Sequence, residues 1–324
     1  MTRQEEFEKL FTNQLSHEEA RNFLIELYRA GESAKDIAIA ASVMREHAIG
    51  LPIPDSLQEQ AIDVVGTGGD KSGSFNISTT VALLLASLGC VVAKHGNRSI
   101  TSKSGSADLL ESLGINLDLS PQQQVKLLEE TGFCFIFAMN HHPAMKHIMP
   151  IRQSIEHRTI FNILGPLTNP AGAKKYLLGV FSPAFIDRMA NALLALDTHR
   201  AFVVSSDDGM DEISLATTTP FAYVEGGIVS RGVIDPEAFG FKKAPKEAIL
   251  GGSSIENAQI TRDIFGGIAT DAQRDIVVLN AGFALFTAGK ARDIQEAFAM
   301  ARDGLESGKA SQHLERIATL SHRL

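Results

Sequence analysis

The sequence predicts an α/β protein: a mostly parallel sheet flanked by helices, preceded by a small all-helical N-terminal domain. Three observations lead there. Short apolar runs, several of them β-branched, at 61–65, 90–93, 132–137, 176–181 and 201–204 have the length of buried strands. Helical stretches separate most of them, which is the alternation that builds parallel sheets. Residues 1–60, by contrast, carry helical periodicity and no strand signal.

Within 1–60, Ser16-x-x-Glu19 has the form of a capping box, and Ala20, Phe23, Leu24, Leu27 and Tyr28 make a helical stripe that ends near Gly31. Ser33 starts a second helix through Ile37, Ala40, Ala41 and Met44. Gly50-Leu51-Pro52-Ile53-Pro54 then breaks the pattern. The expected division is 1–60 for the helical domain and 61–324 for the α/β domain.

The strand at 61–65 runs into Gly66-Thr67-Gly68-Gly69-Asp70, with Asn76-Ile77-Ser78-Thr79 soon after. Glycines let backbone amides approach a ligand, and a helix start adds unpaired N–H groups with partial positive charge. The pair describes an anion cradle, for phosphate above all. Ser78 and Thr79 are expected to cap the apolar run 81–86, with Gly89 as its stop. Neither a Walker loop nor GxGxxG is present, because Lys71 stands where each needs glycine.

A second unit follows the same plan. The strand 90–93 leads to a loop of Lys94-His95-Gly96-Asn97-Arg98, and 99–106 lead into a helix at 107–113 closed by Gly114. Two such loops lie together at the carboxyl edge of a parallel sheet, where open α/β folds bind ligands. After Ser182-Pro183, the positions Phe185, Ile186, Met189, Leu193, Leu194 and Leu196 predict a helix covering one sheet face. The acidic run Asp207-Asp208-Gly209-Met210-Asp211-Glu212 follows the strand at 201–204 and so also belongs at a carboxyl edge. Carboxylates placed beside phosphate loops suit Mg²⁺, which binds through one or two of them plus substrate phosphates.

Composition sets outer limits. With 324 residues and 44% hydrophobic content, the chain can bury a large core. Its longest apolar runs, 81–93 and 276–289, fall short of the roughly 20 residues of a membrane span. Charged residues crowd the start, against a signal peptide, and Cys90 and Cys134 lie in apolar settings that suit reduced thiols. A cytoplasmic protein is expected. A net charge of −8 opposes broad nucleic-acid binding. Lys94, Arg98, Lys103 and Arg152 are expected to gather positive potential in one cleft. His141, His142 and His147 match no zinc spacing and read as helix-surface or core histidines.

The runs GTGGD at 66–70, NIST at 76–79, KHGNR at 94–98, RTIFNILGPLTNP at 158–170 and DE at 211–212, in that order, resemble the anthranilate phosphoribosyltransferases of tryptophan synthesis. The resemblance covers nearly the whole chain and implies a nucleoside phosphorylase/phosphoribosyltransferase-like fold. It implies transfer of the 5-phosphoribosyl group of phosphoribosyl pyrophosphate (PRPP) to the amine of anthranilate, giving N-(5-phosphoribosyl)anthranilate and pyrophosphate. By matched position, Gly66, Gly69, Asp70, Ser74, Asn76, Ser78, Thr79, Lys94 and Ser106 surround PRPP. Gly66, Asn97 and Arg152 meet anthranilate, and Ser78, Asp211 and Glu212 hold Mg²⁺, expected as two ions. The resemblance implies no acid, base or nucleophile among the side chains. It also implies a homodimer formed through the helical domain, joined by a returning piece at about 142–158.

Departures from the family pattern stand at Met139 and His141, at Ile155-Glu156 and at Ser205-Ser206. The first two flank the expected acceptor site. The rival readings are a pyrimidine nucleoside phosphorylase and a non-catalytic, nucleic-acid-binding relative; the acidic pair and KHGNR oppose the first, and the net charge opposes the second.

Overall fold

Side-chain alternation along the strands decides the layering. Ile62 and Val64, Phe133 and Phe135, Leu177, and Phe202 and Val204 face one core. Val65, Cys134 and Ile136, Tyr176 and Leu178, and Ala201 and Val203 face the other. A strand buried on both faces reads as one continuous apolar run, and successive residues serve opposite layers.

The computed structural model describes residues 1–99 and 103–324. The chain opens with α1 (Arg3–Phe11), α2 (His17–Ala30), α3 (Ala34–Glu46) and the short α4 (Asp55–Gln58). Capping boxes at Thr2, Ser16 and Ser33 start the first three. Then come β1 (Ile62–Gly66), α5 (Ile77–Ser87), β2 (Val92–Gly96), α6 (Ser106–Ser112), α7 (Pro121–Thr131) and β3 (Phe133–Phe137). The middle of the chain forms α8 (Ala138–His141), α9 (Met145–Gln153), α10 (Phe161–Leu164), β4 (Lys175–Gly179), α11 (Ile186–Ala195) and β5 (Arg200–Val204). Last are β6 (Thr219–Glu225), β7 (Ile228–Ile234), α12 (Ser254–Phe265), α13 (Asp271–Ala288), α14 (Ile294–Glu306) and α15 (Lys309–Ser321).

The strands form one sheet in the order β3-β2-β1-β4-β5-β6-β7, with β1 to β5 parallel and β6 and β7 antiparallel. The order runs outward from β1 in one direction and from β4 in the other. Their carboxyl ends therefore flank the switch point, where crossovers diverge and leave a crevice. Gly66 ends β1 and pairs in register with Gly179, the end of β4.

α5, α13, α14 and α15 cover one face. α1, α2, α3, α9 and α11 supply the core of the other face, and α9 also touches α1 and α2: His147 pairs with the Leu10 carbonyl at 3.0 Å, and Arg21 donates to the Ser154 carbonyl at 3.4 Å. Among the described residues no helix is long and apolar enough to cross a membrane.

Three local expectations are corrected. Lys94 and His95 belong to β2 rather than to its loop, because their main chain pairs with Phe135 and Ile136 while both side chains find polar partners inside. α5 starts at Ile77, with Asn76 at its N-cap position and no side-chain cap bond, because the Asn76 carbonyl already accepts from the Thr80 N–H at 3.0 Å; Ser78 and Thr79 lie in its first turn and do not cap it. The β6–β7 hairpin, turning through Gly226 and Gly227 at φ +58° and +79°, completes the sheet beyond the expected strands. The approach to α6 passes through 100–102, outside the described residues.

Candidate functional site

Two facing glycines let an acidic loop fold over the sheet. A Cβ on Gly66 would collide with the Asp211 carboxylate, and one on Gly179 with the Asp211 main chain. The 205–212 segment leaves β5 and crosses the β1 and β4 ends in that gap. Asp208 shapes it from inside: its carboxylate accepts from the Ser206 and Ser214 hydroxyls and from the Met210 N–H, and the Lys246 ammonium donates to its carbonyl. Ser206, a departure from the family pattern, is thus a structural part of the loop, and its Oγ also accepts from the Met210 N–H at 3.0 Å. Asp207 is exposed and bonded to Thr218, whereas Asp211 reaches the glycine loop and Glu212 the start of α5.

Asp211 Oδ2 accepts from the Gly68 N–H at 2.7 Å, and the Asp211 N–H donates to Asp70 at 3.4 Å. Glu212 accepts from the Ser78 N–H at 3.2 Å, in the first turn of α5, where the helix end favours negative charge. Behind them, fully buried Lys94 donates to the Val64 carbonyl at 2.6 Å and to the Ser78 hydroxyl at 3.5 Å. Burial, followed by the Asp70 carboxylate, pushes Asp211 above the usual carboxylate range. Glu212 is raised well above that range by burial and then by Asp211. Burial lowers Lys94, with Asp63, Glu212 and Asp211 opposing the fall. Crowded carboxylates of this kind are eased by a divalent cation. The donor set of hard oxygens from Asp211, Glu212 and Ser78 fits Mg²⁺ completed by phosphate and water. Among the described residues no group of three or more His, Cys, Asp or Glu is placed to hold a metal alone, so phosphate would complete the ligand set.

The structure brings most of the expected donor residues together. Gly66, Asp70, Ser78 and Lys94 surround the acidic pair as described, and Gly69 follows Gly68 in the loop with Arg158 against it. Asn76 joins the two loops: its amide donates to the Ser104 carbonyl at 3.1 Å and its oxygen accepts from Ser104 at 3.1 Å and Asn257 at 2.9 Å. Ser74 sits on a bridge to Leu250, and its hydroxyl pairs with that of Ser72 at 3.0 Å. Ser106 opens α6 and packs beside Gly96. The Thr79 hydroxyl is buried, with no hydrogen-bond partner among the described residues.

The expected acceptor residues are less gathered. Asn97 is exposed, its oxygen taken by the Arg98 N–H at 2.8 Å. Half-buried Arg152, on α9, lies over Phe161 at 5.4 Å, and among the described residues its guanidinium hydrogen-bonds only the Met149 sulfur, at 3.5 Å. It has no carboxylate partner among the described residues, and burial lowers its pKa, so a planar anion would suit it. The expected common cationic cleft is corrected: Arg98 is spent on Glu111 and Asp108, at 2.6 and 3.0 Å, and Lys94 is interior.

Sequence reasoning missed a polar network on the opposite face of β1 and β2. Buried Asp63 accepts from the His95 N–H at 3.2 Å and from the Asn169 amide at 2.8 Å, and Asn169 also reaches the Ala93 carbonyl. The His95 ring pairs with the Gly165 carbonyl at 3.0 Å and with His142 at 3.2 Å. His141 instead pairs with the Ile49 carbonyl at 2.6 Å. A charged residue within an apolar strand, Asp63, was the available signal.

The chain is similar to known proteins along most of its length. The glycosyl transferase family, a/b domain, matches residues 58–311. The anthranilate phosphoribosyltransferase of Rubrobacter xylanophilus is 47% identical over 294 residues, covering 91% of this chain and 85% of that protein. That of Persephonella marina is 43% identical over 315 residues, 97% of this chain and 92% of the relative. Among solved structures, the Thermus thermophilus enzyme superposes with a TM-score of 0.92 at 42% identity, covering 99% of this chain and 94% of that one. The Saccharomyces cerevisiae enzyme in complex with PRPP and Mg gives 0.86 at 26% identity, over 95% and 86%.

Proposed function

Since this chain belongs to the anthranilate phosphoribosyltransferase family, we propose that its switch-point crevice carries that family's reaction in a magnesium-dependent form. The enzyme transfers the 5-phosphoribosyl group of PRPP to the anthranilate amine and releases pyrophosphate. The observation that carries the residue assignment is the meeting of Asp211 and Glu212 with the Gly68 and Ser78 amides at the β1 and β4 ends.

The obstacle is negative charge accumulating on pyrophosphate as the bond to ribose C1 breaks. Lys94, held at the site by the Val64 carbonyl, places a cation there. The Gly69 and Asp70 amides, which have no hydrogen-bond partner among the described residues, and the start of α5 add fixed dipoles without reorganising. When bound, Mg²⁺ supplies further positive charge at the leaving group, held by Asp211, Glu212 and Ser78, as two ions. Gly69, Asp70, Ser74, Asn76, Thr79 and Ser106 complete the donor surface. Gly66, Asn97 and Arg152 take anthranilate, with the guanidinium on its carboxylate. An aromatic amine is neutral near pH 7, so no side chain need remove a proton before attack.

Residues 1–60, joined by about 142–158, form the small domain and 61–324 the catalytic one. Two copies pair through the helical domain, and the protein works in the cytoplasm. Light scattering on the purified chain should return twice its mass. The reaction is tested by the loss of anthranilate fluorescence on adding PRPP with and without Mg²⁺. Magnesium-dependent loss with pyrophosphate release is expected; turnover undiminished by chelator would remove the metal from the scheme. Arg152→Ala should raise KM for anthranilate about tenfold while sparing KM for PRPP. Equal losses would reject its assignment.

A further inference from the structure

The run at 158–170 takes no part in the chemistry derived above, yet its first residue lies against the glycine loop. Arg158 is exposed, with its guanidinium stacked 3.5 Å from the Phe181 ring centroid and donating to the Gly69 carbonyl at 2.8 Å. Among the described residues it has no carboxylate partner. We propose that Arg158 is a positioning residue for the donor: it latches the Gly68-Gly69 turn in the shape that receives pyrophosphate. This deepens the function proposed above and rests on assigning the glycine loop to PRPP.

The turn needs such a latch. Gly68 and Gly69 adopt φ of +69° and +74°, and two consecutive glycines have the most backbone freedom to lose. Its other ties lie on either side. The Thr67 N–H reaches the Gly179 carbonyl at 2.9 Å, and the Thr67 hydroxyl accepts from the Phe181 N–H at 3.0 Å. Gly68 is tied to Asp211, a partner claimed by the cation in the scheme above. Among the described residues the Arg158 bond is the one that acts on the Gly69 carbonyl.

Peptide planarity makes this bond directional. In a trans peptide the carbonyl of one residue and the N–H of the next point opposite ways. Holding the Gly69 oxygen toward Arg158 therefore turns the Asp70 N–H to the other side. Among the described residues the N–H groups of Gly69 and Asp70 have no hydrogen-bond partner, so both are available to an anion. An unheld carbonyl free to swing inward would repel that anion. Phe181 fixes the plane of the guanidinium, and its own N–H ties back to Thr67, which closes the latch into a ring of contacts. Upstream, His157 stacks on Tyr28 of α2 at 3.8 Å, seating the segment on the helical part of the chain.

Steady-state kinetics and amide exchange on the full chain test the proposal. Arg158→Ala should raise KM for PRPP about tenfold, the weight of one charge-assisted hydrogen bond, leaving KM for anthranilate and the melting temperature unchanged. Arg158→Lys should not restore it, because an ammonium lacks the planar face and fork. Low, non-denaturing guanidinium should partly rescue Arg158→Ala, and methylammonium should not. Amides at 66–76 should exchange faster in ligand-free Arg158→Ala than in the parent. An unchanged KM for PRPP, full activity with lysine, or equal losses for both substrates would overturn the latch. Adding PRPP to the parent protein should protect 66–76. If it does not, while Arg158→Ala still loosens the turn, the donor assignment has failed, and with it the latch's role toward PRPP.

Discussion

Gly179 shows how a single missing atom sets the site. Its requirement is space rather than a positive φ: the Asp211 main chain occupies the place of a Cβ. Gly179→Ala should push the acidic loop off the sheet end and cut kcat about a hundredfold, with Mg²⁺ affinity falling in parallel. Wild-type magnesium titration in that variant would reject the argument. His95 and His142 give a pH prediction. Burial, largest for both, drives them from 6.5 to about 3 and about 4. The unfolded chain then takes up protons that the folded one refuses, so their contribution is complete above pH 6.5 and is lost as pH falls toward 4, at about 1.4 kcal/mol per pH unit for each. Asp63, pushed up to about 7 by burial, acts oppositely: its contribution is present below pH 4 and lost as pH rises through 7. His142→Gln should therefore lessen the loss of melting temperature between pH 7 and 5. A variant as acid-sensitive as its parent would contradict this. The meeting of the glycine loop and the α5 start at a carboxyl edge was legible because glycines, a helix start and paired carboxylates are local signals. Asp63, His95 and Arg158 were not, since their partners lie far along the chain.

α13 illustrates what an element contributes beyond covering the sheet. Asn280, buried at its middle, accepts from the Ile213 N–H at 3.0 Å and donates to the Ile213 carbonyl at 2.9 Å, next to Glu212. The helix thereby pins the end of the acidic loop. Asn280→Ala leaves two buried main-chain groups unpaired and should cost about 2–3 kcal/mol. Denaturant unfolding would measure it, and a loss within 0.5 kcal/mol, roughly the scale of a surface change, would rule out the pin. Long apolar runs make the parallel strands and α13 readable from sequence. β2 reads short because Lys94 and His95 look like loop residues until Val64, Gly165 and Asp63 are seen to receive them. The β6–β7 hairpin carries the alternation and the Gly-Gly turn expected of its type, but its outer strand is largely exposed and its apolar signal correspondingly weak.

At the scale of the whole molecule, the N-terminal helices and one face of the sheet share a core. Phe7, Leu24 and Ile37 are buried in the same cluster as Tyr176, Leu178 and Val203, and Arg45 donates to the Leu167 carbonyl at 2.7 Å. A chain of 61–324 alone should expose that sheet face, bind a hydrophobic dye and lose cooperative unfolding, whereas the full chain should melt in one transition. A soluble fragment with a sharp melt would show that the sheet stands without its helices. The division between helical segment and sheet was readable because periodicity changes from helical to strand-like near residue 61; their shared core depends on contacts between distant segments and left no local trace. The parity of β2 has one more consequence. Lys94 and His95 are consecutive, yet the sheet acts as a septum: the cation lies on the side of α5, and the neutral ring on the side of Gly165 and His142. Deleting one residue upstream in β2 would exchange the two compartments' contents, putting an uncharged ring beside the acidic pair and a bare ammonium among the histidines. The spacing of this strand is therefore under tighter constraint than the identity of most of its residues.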